Sequence, residues 1–140
     1  MRRYPIFPML ALVASACLDF NGPDVDRTER PAYLECEGYP ENVVAPTRAQ
    51  RGTAFNVTFS TYGDGCVERT DTESVVSGLE VHIFATQVVR TNETCTSELN
   101  VASHVVPVTV ILAGTAAIYV HGWRQPQNQE LIIVRSVTVA

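Results

Sequence analysis

The chain contains no lysine. Its ten basic residues are all arginine, set against fifteen aspartates and glutamates, for a formal charge of −5. No basic cluster occurs, so binding to a nucleic-acid backbone or to an anionic lipid surface through charge is excluded. No run approaches the ~20 apolar residues that a membrane-spanning helix needs. The four cysteines include no Cys-x-x-Cys pair, which removes a zinc knuckle or a dithiol redox site. His82, His104 and His121 are far apart, with none of the close spacing that marks a zinc site. Ser103-His104 lacks a Gly-x-Ser-x-Gly elbow. Glu35, Glu37 and Glu41 lack a calcium-binding loop. Asp64, Glu68 and Asp71 read as the ordinary carboxylates of an acidic domain rather than a hydrolytic pair. The expectation is a non-catalytic protein without cofactor or metal. The alternative is a small secreted or anchored enzyme or metal-binding protein.

The N-terminus carries the strongest signal. Arg2 and Arg3 precede an apolar stretch, Ile6 to Ala14, interrupted by Pro8, and small residues then lead to Cys17. This is the layout of a cleaved export signal. Ala14-Ser15-Ala16-Cys17 resembles the lipobox of bacterial lipoproteins, although Ala14 stands where leucine is usual and Leu12 lies nearby. The resemblance covers the signal and Cys17. It implies cleavage after Ala16, a diacylglyceryl group on the Cys17 thiol and usually a third acyl chain on the new amine. Each buried methylene contributes ~0.8 kcal/mol, so two or more chains anchor a protein stably. Leu18, in place of an aspartate, implies the outer membrane under the enterobacterial sorting rule. Ordinary signal peptidase would cut at the same place and yield a secreted protein instead.

Removing residues 1–16 leaves 124 residues with eight arginines against fifteen acids, a net charge of −7. That length suits one domain with one core. Residues 17–31 read as a lipidated cysteine and flexible tether, too polar and turn-rich to order themselves. Fully extended, residues 18–31 reach roughly 45 Å. Residues 32–140 form the domain.

In the domain, apolar residues alternate with a period of two. Phe55, Val57 and Phe59 share a face, as do Leu79, Val81 and Ile83. Val106, Val108 and Val110 share one with Leu112. Ala116, Ile118 and Val120 point inward, opposite Tyr119 and His121. The last run, Leu131 to Val139, shifts phase near Arg135-Ser136, which suggests a bulge or twist. Turn signals separate seven expected strands at about 42–46, 53–62, 67–76, 79–90, 99–112, 115–124 and 130–139. Seven short strands fit an all-β fold, an Ig-like antiparallel β-sandwich.

If consecutive strands alternate direction, Cys36, Cys66 and Cys95 gather at one pole. Export places them in an oxidising space. The favoured disulfide is Cys66–Cys95, which ties two loops flanking core strands and leaves Cys36 free or paired with a partner protein. The lipobox, the tether, the Gly63-Asp64-Gly65-Cys66 turn and the Gly114-x-Ala116-x-Ile118-x-Val120 strand resemble small bacterial lipoproteins with one Ig-like domain. That likeness implies location and fold and no activity. Asn56 and Asn92 sit in glycosylation sequons without consequence in a bacterial export setting. The candidate binding surface is Tyr119, His121 and Trp123, alternating on the outward side of one strand, with Arg124. Such a patch suits a protein or glycan ligand.

Overall fold

The computed structural model describes residues 26–140, so the export signal, Cys17 and residues 18–25 lie outside the described residues. Nine strands follow in chain order: β1 (Arg27–Pro31), β2 (Tyr33–Glu35), β3 (Arg48–Ala49), β4 (Phe55–Gly63), β5 (Val67–Ser77), β6 (Glu80–Arg90), β7 (Asn100–Val108), β8 (Gly114–Arg124) and β9 (Gln129–Val139). No helix occurs among the described residues, and the fold is all-β. Six expected strands coincide with β4 to β9 within a few residues, except that β7 ends at Val108. The expected strand at 42–46 shrinks to a single bridge between Val44 and Thr58.

Local hairpins supply much of the framework. β5 and β6 pair antiparallel around Gly78, whose φ of +60° is left-handed and suits a residue without a side chain. β8 and β9 pair antiparallel along their whole length, from Gly114↔Val139 to Arg124↔Gln129, without a register shift. The bulge expected near Arg135-Ser136 is therefore absent. The apparent phase change has another cause: β9 is apolar on both faces. Ile133, Val137 and Val139 are buried, while Ile132 and Val134 are exposed on the other side. The register breaks elsewhere, between Val67 and Arg69 and between Tyr33 and Glu35.

The expected antiparallel sandwich of seven strands is not what the pairings describe. β6 and β8 are parallel, as are β2 with β8 and β3 with β9. Parallel neighbours need a crossover. Between β6 and β8 the chain makes it through β7, which pairs antiparallel with β4 over nine residues. The nine strands form one mixed sheet, curled into a half-barrel. Val57 and Phe59 of β4 and Val106 and Val108 of β7 belong to one core with Val81, Ile83, Ala116, Ile118, Val120 and Val137. Val110 joins this core beyond the end of β7, whereas Leu112 is half exposed, against expectation.

The last part of the expected tether is a strand. β1 pairs antiparallel with the second half of β6, from Arg27↔Arg90 to Pro31↔Thr86. Its residues Arg-Thr-Glu-Arg-Pro bury little, so its order comes from ladder hydrogen bonds rather than apolar burial. The first half of β6, Glu80 to Phe84, pairs with β8 instead. The two strands therefore fork, and residues 27–35 enter the fork. Ala32 is the pivot: its N–H donates to Ala85 O at 2.8 Å and its carbonyl accepts from Trp123 N–H at 2.8 Å.

Cys66 and Cys95 form a disulfide with Cα atoms 5.1 Å apart, joining the turn after β4 to the loop after β6. Closing a loop of this length stabilises by ~3–4 kcal/mol through loop-closure entropy. Cys36 is free and half-buried.

One glycine is indispensable at the fork. A Cβ on Gly122 would lie 2.6 Å from Ala32 O and 2.6 Å from Leu34 Cγ, both buried. Gly122→Ala is expected to destabilise by about 1–3 kcal/mol through overpacking, read as a lower urea midpoint with an unchanged slope.

Candidate functional site

The parallel register of β6 and β8 sets Glu80 opposite Ala117, His82 opposite Tyr119 and Phe84 opposite His121. Partners in register share a face, and alternation sends Val81, Ile83, Ile118 and Val120 into the core. His82, Phe84, Tyr119, His121 and Trp123 are thereby left on the outer face. Their rings form a ladder. His82 stacks on Tyr119 with centroids 4.7 Å apart and planes at 9°. Phe84 stacks on His121 at 4.5 Å and 18°. The two histidines stack at 5.1 Å, and His82 Nδ1 lies 2.8 Å from His121 Nε2. One ring donates and the other accepts, so the bond needs at least one neutral ring with a bare nitrogen. Glu80 Oε2 stands 3.7 Å from the other nitrogen of His82.

A cleft of about 320 Å³ opens beside this ladder, where β6 and β8 part. Pro31, Phe84, Thr86, His121, Trp123 and Glu130 line it, with Gly122 and Ala85 at its base. Trp123 is backed by the buried ring of Tyr33 at 6.1 Å, and the Tyr33 hydroxyl donates to Asn128 Oδ1 at 2.6 Å. The aliphatic side chains of Ile132 and Val134 continue the apolar surface: they pair with His121 and Tyr119 and are 43% and 49% exposed.

Of the four residues in the sequence-derived patch, the structure sets three on one face of β8. Tyr119, His121 and Trp123 share a face. Arg124 does not, because it is one residue out of phase. It pairs with Glu35 at 3.4 Å and lines a separate depression with Cys36, Tyr39 and Gln125. His82 and Phe84 were missed as members of the patch, although their outward parity was legible in β6. The histidines expected to be scattered are brought together in one pair, while His104 stays apart, 2.8 Å from Thr61 Oγ1 and against Phe59.

The other candidates are separated or occupied. Glu68 pairs with Arg27, Asp71 pairs with Arg69, and Asp64 accepts from Cys66 N–H, so these three carboxylates serve three different contacts. Glu41 pairs with Arg135 at 2.6 Å and Glu35 with Arg124. Among the described residues one group of three metal-ligating side chains converges, Asp64 with Cys66 and Cys95, but its two sulfurs are joined to each other. The Cys36 thiol is pushed up first by burial and then by the Glu35 carboxylate, both of which favour its protonated form.

Burial lowers the His121 pKa, the His82 charge lowers it further, and Glu130 opposes both. Burial alone lowers that of His104. No protein-family model, no curated protein and no solved structure matches this chain.

Both shifts have a consequence for stability. A histidine whose folded pKa is depressed takes up its proton more readily when unfolded. Its contribution is complete above the unfolded pKa and is lost as pH falls towards the folded one. The urea midpoint is expected to drop between roughly pH 7 and pH 5, and His104→Gln and His121→Gln should each flatten that slope.

Proposed function

We propose that this chain is an extracytoplasmic lipoprotein, anchored at Cys17 in the outer membrane of a bacterial envelope. Its role in this reading is non-catalytic: it binds a protein or glycan ligand through the aromatic outer face of the sheet. The observation that carries the reading is the ring ladder of His82, Phe84, Tyr119 and His121, which continues to Trp123 beside an open cleft. The core closes on the opposite face of the same strands without these rings. Aromatic rings left on a surface, one of them beside a cleft, are the usual anchors of recognition. The acidic composition and the absence of lysine turn the reading away from nucleic acid.

Anchoring and binding are tested separately. Intact mass of the protein from detergent-extracted membranes is expected to show a chain starting at Cys17 with added acyl mass. A lipid-free mass with Cys17 in a disulfide would sink the anchor. For binding, a glycan and peptide array probed with the soluble domain is expected to give ligands whose affinity falls about ten-fold or more in Trp123→Ala. Arg124→Ala, on the opposite side, should leave binding unchanged. Equal loss in both variants would place the site elsewhere.

A further inference from the structure

The cleft combines rings with negative charge. Its walls are the rings of Phe84, His121 and Trp123, and the Glu130 carboxylate stands at its margin. The register adds two more carboxylates to the same face: Glu73 of β5 opposite Phe84, and Glu80 of β6 two residues before His82. Among the described residues neither Glu73 nor Glu130 has an ion-pair partner. Arg69, on the same strand as Glu73, pairs with Asp71 at 2.9 Å, and the Arg30 guanidinium lies 4.9 Å over the Tyr33 ring behind Trp123. An aromatic surface under a negative field repels anions and attracts cations, which gain from both the ring quadrupoles and the carboxylates.

Size narrows the ligand further. A volume of about 320 Å³ is at the small end of ligand pockets (~300–1,000 Å³). It suits one head group or one side chain rather than an oligosaccharide. The lining offers a glycan few polar partners beyond Thr86 and Glu130.

We propose that this cleft binds an organic cation, a quaternary ammonium or a guanidinium group, held over Phe84, His121 and Trp123 and neutralised by Glu130. The proposal rests on the binding reading above and gives that site its ligand chemistry. His121, a wall of the cleft hydrogen-bonded to His82, makes the site sensitive to pH. At neutral pH a neutral His121 offers its ring face. Protonation of His121 puts positive charge at the cleft wall and repels a cation. The groups that face this pair are Glu73 on β5, Glu80 on β6, Tyr119 on β8 and Glu130 on β9. Burial and the neighbouring histidine favour the neutral form of His121.

The test is a titration of Trp123 fluorescence, with calorimetry, on the full mature chain. Two matched pairs of probes separate charge from shape: choline against its neutral isostere 3,3-dimethylbutanol, and N-acetylarginine amide against N-acetylcitrulline amide. At least one cation is expected to bind about five-fold or more tightly than its isostere. A preference for choline identifies an ammonium site, and a preference for the arginine derivative identifies a guanidinium site. Glu130→Gln should shrink the preference without changing the neutral probe. Lowering the pH from about 7.5 to about 5.5 should weaken the cation alone, with the fold checked by circular dichroism at both values. Equal affinity within both pairs overturns the cation claim and leaves an apolar binding site standing. No saturable response to any probe at millimolar concentration also overturns it, and loss of array binding in Trp123→Ala then decides whether the binding reading survives.

Discussion

The structure depends on how residues 27–35 satisfy the backbone where β6 and β8 part. Past Phe84 these two parallel strands no longer bond to each other. Each then presents a row of N–H and C=O groups in a largely buried setting, and such groups must find partners. β1 takes the β6 row from Thr86 to Arg90, and β2 takes the β8 row at Trp123 and Arg124. Ala32 serves both at once, bonded to Ala85 on one side and Trp123 on the other. β2 also pairs with β4 at Tyr33↔Tyr62, so the inserted segment carries the sheet round to the opposite wall. A second backbone link runs through residues 44–52, which bond to β9 at Thr47 and Ala49, to β4 at Val44 and to Val110 beyond β7 at Gly52.

The same divergence creates the cleft. Two strands in continuous register leave no gap between their side chains. Here Pro31, which has no N–H and a compact side chain, lines the opening together with Gly122 of β8. Pro31 leaves the outer side of the fork open beside Phe84 and Trp123, whereas Ala32 and the bare side of Gly122 face the core and Leu34. Gly122 is needed for backbone approach, so part of this opening is a by-product of building the fork. The rings are not. Core packing constrains the inward parity of β6 and β8 and places no demand on the outer one, where Thr115 and Ala117 show that small or polar residues are accommodated.

Much of the fold was legible because burial on one face imposes a period of two. β4, β6 and β8 follow this pattern closely, and their inward residues were identified from alternation. The disulfide was legible from loop position, since turns after β4 and β6 fall at one pole when directions alternate. Pairing partners were not legible. A parallel contact between β6 and β8 joins residues 37 positions apart, His82 and Tyr119, and no local signal encodes it. The half-barrel and the histidine pair both follow from that contact. β1 was read as tether because its sequence has the polarity of a loop, and a strand ordered by backbone bonds leaves no apolar period to read. Arg124 is different: its parity relative to Trp123 was visible, and strict alternation excludes it from the patch.

The position of β1 also changes the geometry of anchoring. If the chain is held at Cys17, β1 moves the start of the domain from residue 32 to Asp26, which caps the distance between them at roughly 30 Å rather than 45 Å, at ~3.3 Å per residue. That segment joins the domain beside Arg90 and Thr91, at the pole of the Cys66–Cys95 disulfide, where Thr91 N–H donates to Asp26 O at 2.9 Å. The covalent cross-link therefore braces the end at which a membrane anchor would pull. The cleft lies further along β6, at the far end of β1 from that junction, about 13 Å away along an extended strand. A force on the anchor would be carried by the β1–β6 ladder in shear before it reached the pivot at Ala32. In the proposed reading, the anchor and the ligand face would be linked through β1 and the pivot at Ala32.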